Sequence, residues 1–243
     1  EEDAAKLVHP DKADYSLVDY NRGGTPLAEI VTMPELHSAE EAKAYVQELR
    51  LIMRNLGISD ADMEKGHLRC DANISMRPVD ETKLYPKTEI KNLNSFRSIE
   101  RAIVFEEKRQ RELWEKGTPN EKLTTRGWDE AAQKTYEQRT KEEAHDYRYF
   151  PEPDLPPLKF VESSDNCEDI PFDEIRINCI KAKLPETPFA KVNRFVSQYA
   201  FSFSDAKSLI EDNDLAGFAE NTMTELKDYL LEEGQGENIE EDD

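Results

Sequence analysis

Cysteine, long apolar runs and signal-like segments are scarce or absent in this sequence of 243 residues. The three cysteines, Cys70, Cys167 and Cys179, form no CxxC pair, so we expect reduced thiols of the cytosolic kind and no disulfide framework. No apolar run approaches the roughly 18 residues of a membrane span, and no charged-then-apolar signal opens the chain. The chain starts at Glu1 without a methionine, and we interpret it as a fragment that lacks its N-terminal part.

The motifs of several common enzyme classes are missing as well. The sequence contains neither GxxxxGK followed by Ser or Thr nor GxGxxG, so neither a P-loop nor a Rossmann site is indicated. It also lacks the GxSxG motif of a nucleophile elbow. No two of the four histidines have the i, i+4 spacing of a metal pair on a helix. Any nucleotide or metal site must therefore be built in another way.

Basic side chains are outnumbered, with 32 Lys and Arg against 53 Asp and Glu, for a net charge of −21. The imbalance is steepest over residues 158–243, which hold 21 acidic and 8 basic side chains. Such a composition disfavours non-specific nucleic-acid binding, which depends on Lys and Arg contacts to phosphate. The hydrophobic content of 37% still lies above the disordered range, and the length fits one large or two modest domains.

The first part of the chain carries clear helix and strand patterns. Ser38 and Glu41 have the capping-box spacing at the start of a run of apolar residues with helical periodicity. Strict alternation of apolar and polar residues follows further along the chain and is typical of strands with one side on a core. The patterns predict a helix over 38–57, strands over 67–76 and 85–92, and a long helix over about 94–116.

Beyond residue 158 the pattern changes to an acidic loop followed by helices. The predicted helices each have Ser, Thr or Asp near their start. They cover 173–183, 187–200, 204–211 and 214–233. The sequence therefore predicts an α+β domain over residues 1–158, a partial all-α domain over 159–233 and an acidic tail over 234–243.

Two carboxylates are the main candidates for chemistry. Asp71 lies on the polar side of the first predicted strand, and Glu89 lies in the second, between Lys87 and Lys91. If these strands pair with their polar sides on one face, the two carboxylates converge, and hard cations such as Mg²⁺ prefer such oxygen ligands. The alternative is that both residues belong to the solvated face that alternating strands normally have.

Candidate anion-binding residues lie at a helix start and at a tight turn. Asn92 and Asn94 precede the predicted long helix, whose N-terminal backbone donors and dipole favour an anion such as phosphate. Asparagine is also an ordinary N-cap residue, which is the simpler interpretation. Arg22, beside Gly23 and Gly24, is a further candidate to meet a phosphate or a carboxylate.

Six sequence blocks carry a resemblance to a known family. The block EEAHDYRYFPEPDLPPL, residues 142–158, combines His145 and three aromatic residues with four prolines, which is typical of a rigid, packed element. Five blocks precede it in order: EEDA at 1–4, DYNRGGTPLAEIV at 19–31, HLRCDANISMRP at 67–78, TEIKNLNSFRSIERAI at 88–103 and TRGWDE at 125–130. With these blocks the chain closely resembles the B subunit of the aspartyl/glutamyl-tRNA amidotransferases.

This resemblance implies a fold and a set of site residues. The implied fold is a cradle-type α+β domain with a mainly antiparallel sheet and flanking helices, in which acidic residues handle Mg²⁺ and ATP. Part of that family's site lies before Glu1, and Ala5 stands where the family usually has glycine. The matching metal positions are Glu1, Glu2, Asp71 and Glu89. Of these, Asp71 and Glu89 are also the expected catalytic residues, and Asn92, Asn94 and Arg22 are candidates for nucleotide contact.

The activity implied by the resemblance is that of a ligase acting on misacylated tRNA. ATP phosphorylates the side-chain carboxylate of Glu-tRNA(Gln) or Asp-tRNA(Asn), and ammonia delivered by the amidase A subunit then displaces phosphate. The implied partners are this A subunit, the small C subunit, and the misacylated tRNA, in the bacterial cytoplasm or, alternatively, the mitochondrial matrix. Three alternatives stay open: a non-catalytic scaffold that binds tRNA and the A subunit, the archaeal sister protein (the E subunit), and a generic acidic interaction protein.

Overall fold

The computed structural model describes five stretches of the chain: residues 6–10, 14–21, 23–140, 157–171 and 173–232. Most of the predicted packed element over 142–158, with His145, lies outside these stretches, as does the predicted acidic tail over 234–243. Within the described residues, no helix is both long enough and apolar enough to cross a membrane.

The chain divides into two compact units. One unit comprises residues 1–36 and 145–179, and the other comprises residues 37–144 and 180–243. The helices of the second half therefore share a unit with the residues of the predicted α+β domain. The domain boundary predicted near residue 158 stays a prediction.

Short strands form the regular structure of the first unit. An antiparallel pair joins Leu7 to Val18, and a turn follows in which the Gly23 backbone N–H donates to the Tyr20 carbonyl at 2.9 Å. A parallel pair joins Phe160 to Ile175. The strands are β1 (Lys6–Val8), β2 (Leu17–Asp19), β7 (Lys159–Val161) and β8 (Glu174–Arg176).

Two sequence expectations are wrong in this unit. The helix predicted over 173–183 begins only at α3 (Ile177–Lys183), because the preceding three residues pair with β7 as a strand. The expectation of reduced thiols fails for Cys167 and Cys179, which form a disulfide with a Cα–Cα distance of 5.5 Å. Strand β8 leads directly into α3, and this path places Cys179 next to the loop that contains Cys167.

A four-stranded sheet is the centre of the second unit. Its strands lie side by side in chain order, with the outer pairs antiparallel and the central pair parallel. Three of the five strand pairs in the described stretches are antiparallel, which confirms the expected α+β fold with a mainly antiparallel sheet. The strands are β3 (Cys70–Ile74), β4 (Thr88–Leu93), β5 (Thr124–Asp129) and β6 (Lys134–Thr140). The sequence patterns had indicated only the first two.

Two helices cover one face of this sheet. Helix α1 (Ala39–Asn55) begins at the predicted cap, where the Ser38 hydroxyl accepts the Glu41 backbone N–H at 3.1 Å. Helix α2 (Phe96–Glu115) connects the parallel strands β4 and β5. The buried core between helices and sheet consists of Val46, Ile90, Leu93, Ile99, Ala102 and Trp128. Burying each of the larger apolar side chains contributes roughly 1.5–3 kcal/mol before the entropy cost of folding.

The remaining helices pack on the other side of α1. The predicted helices over 187–200, 204–211 and 214–233 are confirmed with small shifts at their ends. Phe195, fully buried, is the centre of this cluster, and Leu51 of α1 packs against it. Arg194 bridges Glu186 at 2.8 Å and Glu220 at 2.5 Å. The helices are α4 (Pro188–Tyr199), α5 (Phe203–Leu209) and α6 (Asn213–Glu232).

Candidate functional site

The two candidate carboxylates meet at a single lysine on the sheet face opposite α1 and α2. The Lys91 ammonium lies 2.7 Å from the Asp71 Oδ2 atom and 3.3 Å from the Glu89 Oε1 atom. All three side chains are partly exposed. We call this group the carboxylate–lysine cluster. It brings together the two residues that the sequence analysis singled out and adds a third.

Strand geometry places these side chains on one face. Along β4, Thr88 and Ile90 are buried while Glu89 and Lys91 are partly exposed, as the period of two requires. The pairing of β3 with β4 is irregular between Cys70 and Ala72, where two residues of β4 lie opposite Asp71 alone. This bulge turns Asp71 and Lys91 toward each other.

Asn92 accommodates the bulge through its backbone. Its φ of 65° lies in the left-handed region, which asparagine tolerates better than most residues. Its side-chain amide donates to the Tyr136 hydroxyl at 3.1 Å, which also accepts from Gln138 at 3.3 Å. The predicted nucleotide-contacting residue Asn92 therefore lies beside the carboxylate–lysine cluster and is linked to strand β6.

Charge determines the protonation of the cluster. Burial disfavours the charged form of Lys91, but hydrogen bonds and charges from Asp71 and Glu89 outweigh this and raise the pKa of the ammonium. The hydroxyl of Thr125, on the neighbouring strand β5, lies 3.3 Å from Glu89 Oε2 as a further donor. The interactions with the two acidic side chains therefore favour the charged form of Lys91.

A carboxylate of the protein already occupies the surroundings of the α2 N-terminus. Ser95 caps the helix by accepting the Ser98 backbone N–H at 3.0 Å. The Glu130 carboxylate accepts the Ser98 hydroxyl at 2.7 Å and the Trp128 indole N–H at 2.6 Å, and these hydrogen bonds lower its pKa. Asn94 is exposed just before the cap. Its role in nucleotide contact stays a prediction.

A buried polar network lies behind the cluster, between α2 and the sheet. The Glu106 side chain is fully buried and accepts hydrogen bonds from Arg109 at 2.6 Å and from Gln110 at 3.0 Å. Burial alone raises the pKa of Glu106, but these donors and the Arg109 charge outweigh it and lower the pKa. The network continues to Thr135, which donates to Glu106 at 3.3 Å, and to Arg126, 3.7 Å from the same carboxylate.

The donor set of the cluster fits a hard divalent cation in part. In the stretches that the structure describes, no group of three or more His, Cys, Asp or Glu side chains is arranged to hold a metal. Asp71 and Glu89 nevertheless converge on one cation, and Mg²⁺ is commonly held by one or two carboxylates together with substrate phosphates and waters. The other predicted positions, Glu1, Glu2 and Arg22, lie outside the described residues.

Sequence reasoning missed three features of this site. The period of two had placed Lys91 on the same side of the predicted strand as Glu89, but it gave Lys91 no role, and its contact with Asp71 was missed. Tyr136 and Gly127 were missed with strands β5 and β6. The threonine-rich stretches 124–125 and 134–140 were the available signal, since threonine favours strands.

Comparison with known proteins gives one consistent family. A family model described as the GatB/GatE catalytic domain matches residues 1–165. Three curated relatives are each named as the B subunit of an aspartyl/glutamyl-tRNA(Asn/Gln) amidotransferase. The chain is 49% identical to the Thermomicrobium roseum protein over 224 residues (90% of this chain, 43% of the relative). It is 48% identical to the Persephonella marina protein over 224 residues (92% and 44%), and 46% identical to the Dehalococcoides mccartyi protein over 241 residues (97% and 46%).

The chain spans less than half the length of these relatives. The family model, by contrast, covers more than half of the chain itself, and it includes β3, β4, β5 and the carboxylate–lysine cluster. The six sequence blocks that carry the resemblance also lie inside the matched range. The chain therefore belongs to the GatB/GatE family.

Proposed function

We propose that this chain is part of the B subunit of a tRNA-dependent amidotransferase and carries its ATP-dependent step. In this step an oxygen of the Glu or Asp side chain on misacylated tRNA attacks the γ-phosphorus of ATP, and ADP leaves. Ammonia then attacks the acyl carbon of the resulting acyl phosphate, and inorganic phosphate leaves. The products are Gln-tRNA(Gln) or Asn-tRNA(Asn).

The observation that carries the proposal is the convergence of Asp71 and Glu89 on one cation. Phosphoryl transfer requires charge neutralisation and in-line positioning more than covalent chemistry from the protein. Two carboxylates on a rigid sheet face supply fixed oxygen ligands, and Lys91 supplies positive charge beside them. The family match and the identity of 46–49% to proteins named as B subunits support the same interpretation.

Each residue then has an expected role. Asp71 and Glu89, with Glu1 and Glu2, would hold Mg²⁺, which when bound neutralises charge on the phosphates of ATP. Asn92, beside the cluster, would orient nucleotide or acceptor through its side-chain amide. Asn94 and Arg22 are lesser candidates for nucleotide contact.

The partners and the location follow from the same proposal. The chain contains no GxSxG nucleophile motif that would indicate its own release of ammonia. We assign the release of ammonia from glutamine to the amidase A subunit, with the small C subunit to complete the complex. The names of the relatives specify aspartyl/glutamyl-tRNA(Asn/Gln), and misacylated tRNA is the proposed substrate. The bacterial cytoplasm is the expected location.

A second candidate function is a non-catalytic scaffold that binds tRNA and the A subunit. One observation favours it: Lys91 already satisfies both carboxylates, which is also how a purely structural ion pair looks. The acidic balance of the chain, at −21, argues against a scaffold that grips tRNA through this part of the protein alone.

The test is phosphate release by the assembled complex. The full-length protein that contains this chain is combined with the A and C subunits, and phosphate release from Mg-ATP is followed with and without misacylated tRNA. We expect release that depends on Glu-tRNA(Gln) or Asp-tRNA(Asn) and falls at least about a hundredfold in Glu89→Gln, because a charge-neutralising ligand of the transition state is lost.

A matched control is Glu107→Gln on the exposed side of α2, where the carboxylate pairs with Arg111 one turn away. This variant should release phosphate like the parent. Unchanged release in Glu89→Gln would remove the site assignment while leaving the family membership intact. If the parent itself shows no tRNA-stimulated release, the scaffold function is favoured.

A further inference from the structure

We propose that Lys91 is an exchangeable counter-cation: it holds Asp71 and Glu89 together when no divalent ion is bound, and transfers to phosphate when the ion arrives. This inference rests on the proposed function, since it concerns the same carboxylates. It gives Lys91 a role that neither the sequence analysis nor the family resemblance supplied.

The first argument is geometric. The Lys91 ammonium is 2.7 Å from Asp71 Oδ2 and 3.3 Å from Glu89 Oε1, so it occupies the space between these two oxygens. A Mg²⁺ ion would need to approach the same oxygens to about 2.0–2.1 Å. The ammonium and the divalent ion cannot both occupy that position, so binding of one requires the other to leave.

The second argument concerns charge. Two converging carboxylates repel each other, and Lys91 contributes one positive charge between them. A divalent ion in the same place contributes two. The exchange is therefore favoured electrostatically once the ion is available, and the ammonium keeps the two side chains in position until then.

The third argument is the freedom of Lys91 to move. Its side chain is 38% exposed, and a lysine stem has four flexible carbons that carry a compact charge. Released from the carboxylates, the ammonium stays on the same sheet face. Lysine binds phosphate as a point charge, so a phosphate held by the ion would supply an anion for the released ammonium.

A merely structural lysine behaves differently. If Lys91 only supports the fold of the cluster, its removal lets Asp71 and Glu89 move apart and weakens the binding of both metal and nucleotide. An exchangeable counter-cation instead competes with the metal and assists the nucleotide. Its removal therefore changes the two affinities in opposite directions.

The experiment measures both affinities in the assembled amidotransferase. Binding of Mn²⁺, as a probe for the divalent ion, is followed without nucleotide by the electron paramagnetic resonance signal of the free ion. Binding of ATP is measured separately at saturating Mg²⁺. For Lys91→Met we expect the Mn²⁺ affinity to rise about three- to tenfold, because partly exposed ion pairs are weak competitors. The ATP affinity should fall by a similar factor.

Two control variants accompany the measurement. Lys108→Met removes an exposed lysine from α2, on the other side of the sheet, and should change neither affinity. Lys91→Arg keeps the charge and should bind Mn²⁺ within about twofold of the parent, since its guanidinium can still pair with both carboxylates. This variant also guards against misfolding of Lys91→Met.

The outcomes separate this inference from the proposed function. If Lys91→Met weakens Mn²⁺ binding as Glu89→Gln does, Lys91 is structural and the exchange is wrong, whereas the metal site stands. If Glu89→Gln binds Mn²⁺ as the parent does, Glu89 is not a ligand of the ion, and both the exchange and the site assignment fail while the family membership stands. Opposite changes in Mn²⁺ and ATP affinity support the exchange.

Discussion

The ring of Tyr136 lies directly against Gly127 of the neighbouring strand, so close that a Cβ at Gly127 would lie 2.6 Å from the Tyr136 hydroxyl oxygen. The two residues are register partners in the antiparallel pair of β5 and β6. Gly127 is therefore required by the close approach of a side chain and not by its own backbone angles. The same hydroxyl accepts the Asn92 amide, so this contact positions a residue next to the carboxylate–lysine cluster.

Gly127→Ala is expected to destabilise the protein by about 1–3 kcal/mol, because the added methyl group displaces Tyr136. Urea unfolding measures the change. Gly217→Ala in α6 is the matched control, since no atom lies within 4 Å of its added Cβ, and alanine favours a helix. The Cβ would also lie 2.7 Å from the Gln138 amide nitrogen, so the cost of Gly127→Ala should disappear in a background with both Tyr136→Ala and Gln138→Ala. A cost that persists there would contradict the steric explanation.

Glu106→Gln should lower the free energy of unfolding by about 3–5 kcal/mol at neutral pH, because it leaves two partly buried arginines without their carboxylate. The pKa of Glu106 is lowered in the folded state, so its stabilising contribution is present above the unfolded pKa and is lost as the pH falls through the folded value. The difference between parent and variant should therefore shrink below about pH 4.

Glu107→Gln, at the adjacent exposed position on α2, serves as the control for this measurement. An exposed i, i+4 ion pair contributes little, so this variant should unfold like the parent at every pH. A difference between parent and Glu106→Gln that stays constant from pH 7 to pH 3 would contradict the lowered pKa.

The disulfide between Cys167 and Cys179 should appear as a linked peptide pair in mass spectrometry of a digest prepared without reductant. Closing a loop with a sequence separation of 12 stabilises the folded state by about 2–3 kcal/mol in the chain-entropy description. Reductant should therefore lower the stability of the parent but not of Cys179→Ala. Burial and the Asp71 charge raise the pKa of Cys70 to about 11, so Cys70 should not exchange with the pair.

Asn92 allows a prediction about backbone conformation. Its φ of 65° suits glycine, whereas a β-branched residue is strained there. Asn92→Val should therefore cost about 1–2 kcal/mol more than Asn92→Gly, which loses only the hydrogen bond to Tyr136. Urea unfolding of the two variants measures this difference, and Tyr136→Phe measures the combined contribution of the hydrogen bonds that Asn92 and Gln138 donate to the Tyr136 hydroxyl. Equal stabilities of the glycine and valine variants would contradict it.

Local patterns were enough to predict much of this fold. The capping box at Ser38 and the helical spacing after it predicted α1, and the strict alternation around Asp71 predicted β3. The sequence predicted that Asp71 and Glu89 converge if the two strands pair with their polar sides on one face, and the structure places both side chains on one face. These features depend on residues that are only a few positions apart in the sequence. Hydrophobic periodicity carries information over that separation.

The remaining features depend on contacts between distant residues. The period of two gives the face of a strand but not its register, so the bulge that brings Lys91 to Asp71 could not be predicted. Strand β5 buries the consecutive residues Gly127 and Trp128, which breaks the alternation that identifies a strand. The pairing of Cys167 with Cys179 likewise follows from the path of β8, which no cysteine spacing reveals.

The buried polar network between α2 and the sheet fixes the geometry of the opposite sheet face. Gln110 donates to the Ile74 carbonyl of β3 and to Thr88 of β4, while Glu106 meets Arg126 of β5 and Thr135 of β6. A shift of α2 by one turn would leave the Glu106 carboxylate buried without its donors, so this helix has a single permitted alignment on all four strands. Through its contacts with the strands, helix α2 thus sets the spacing of Asp71 and Glu89. The sheet face that carries both carboxylates is therefore shaped by side-chain packing on the opposite face.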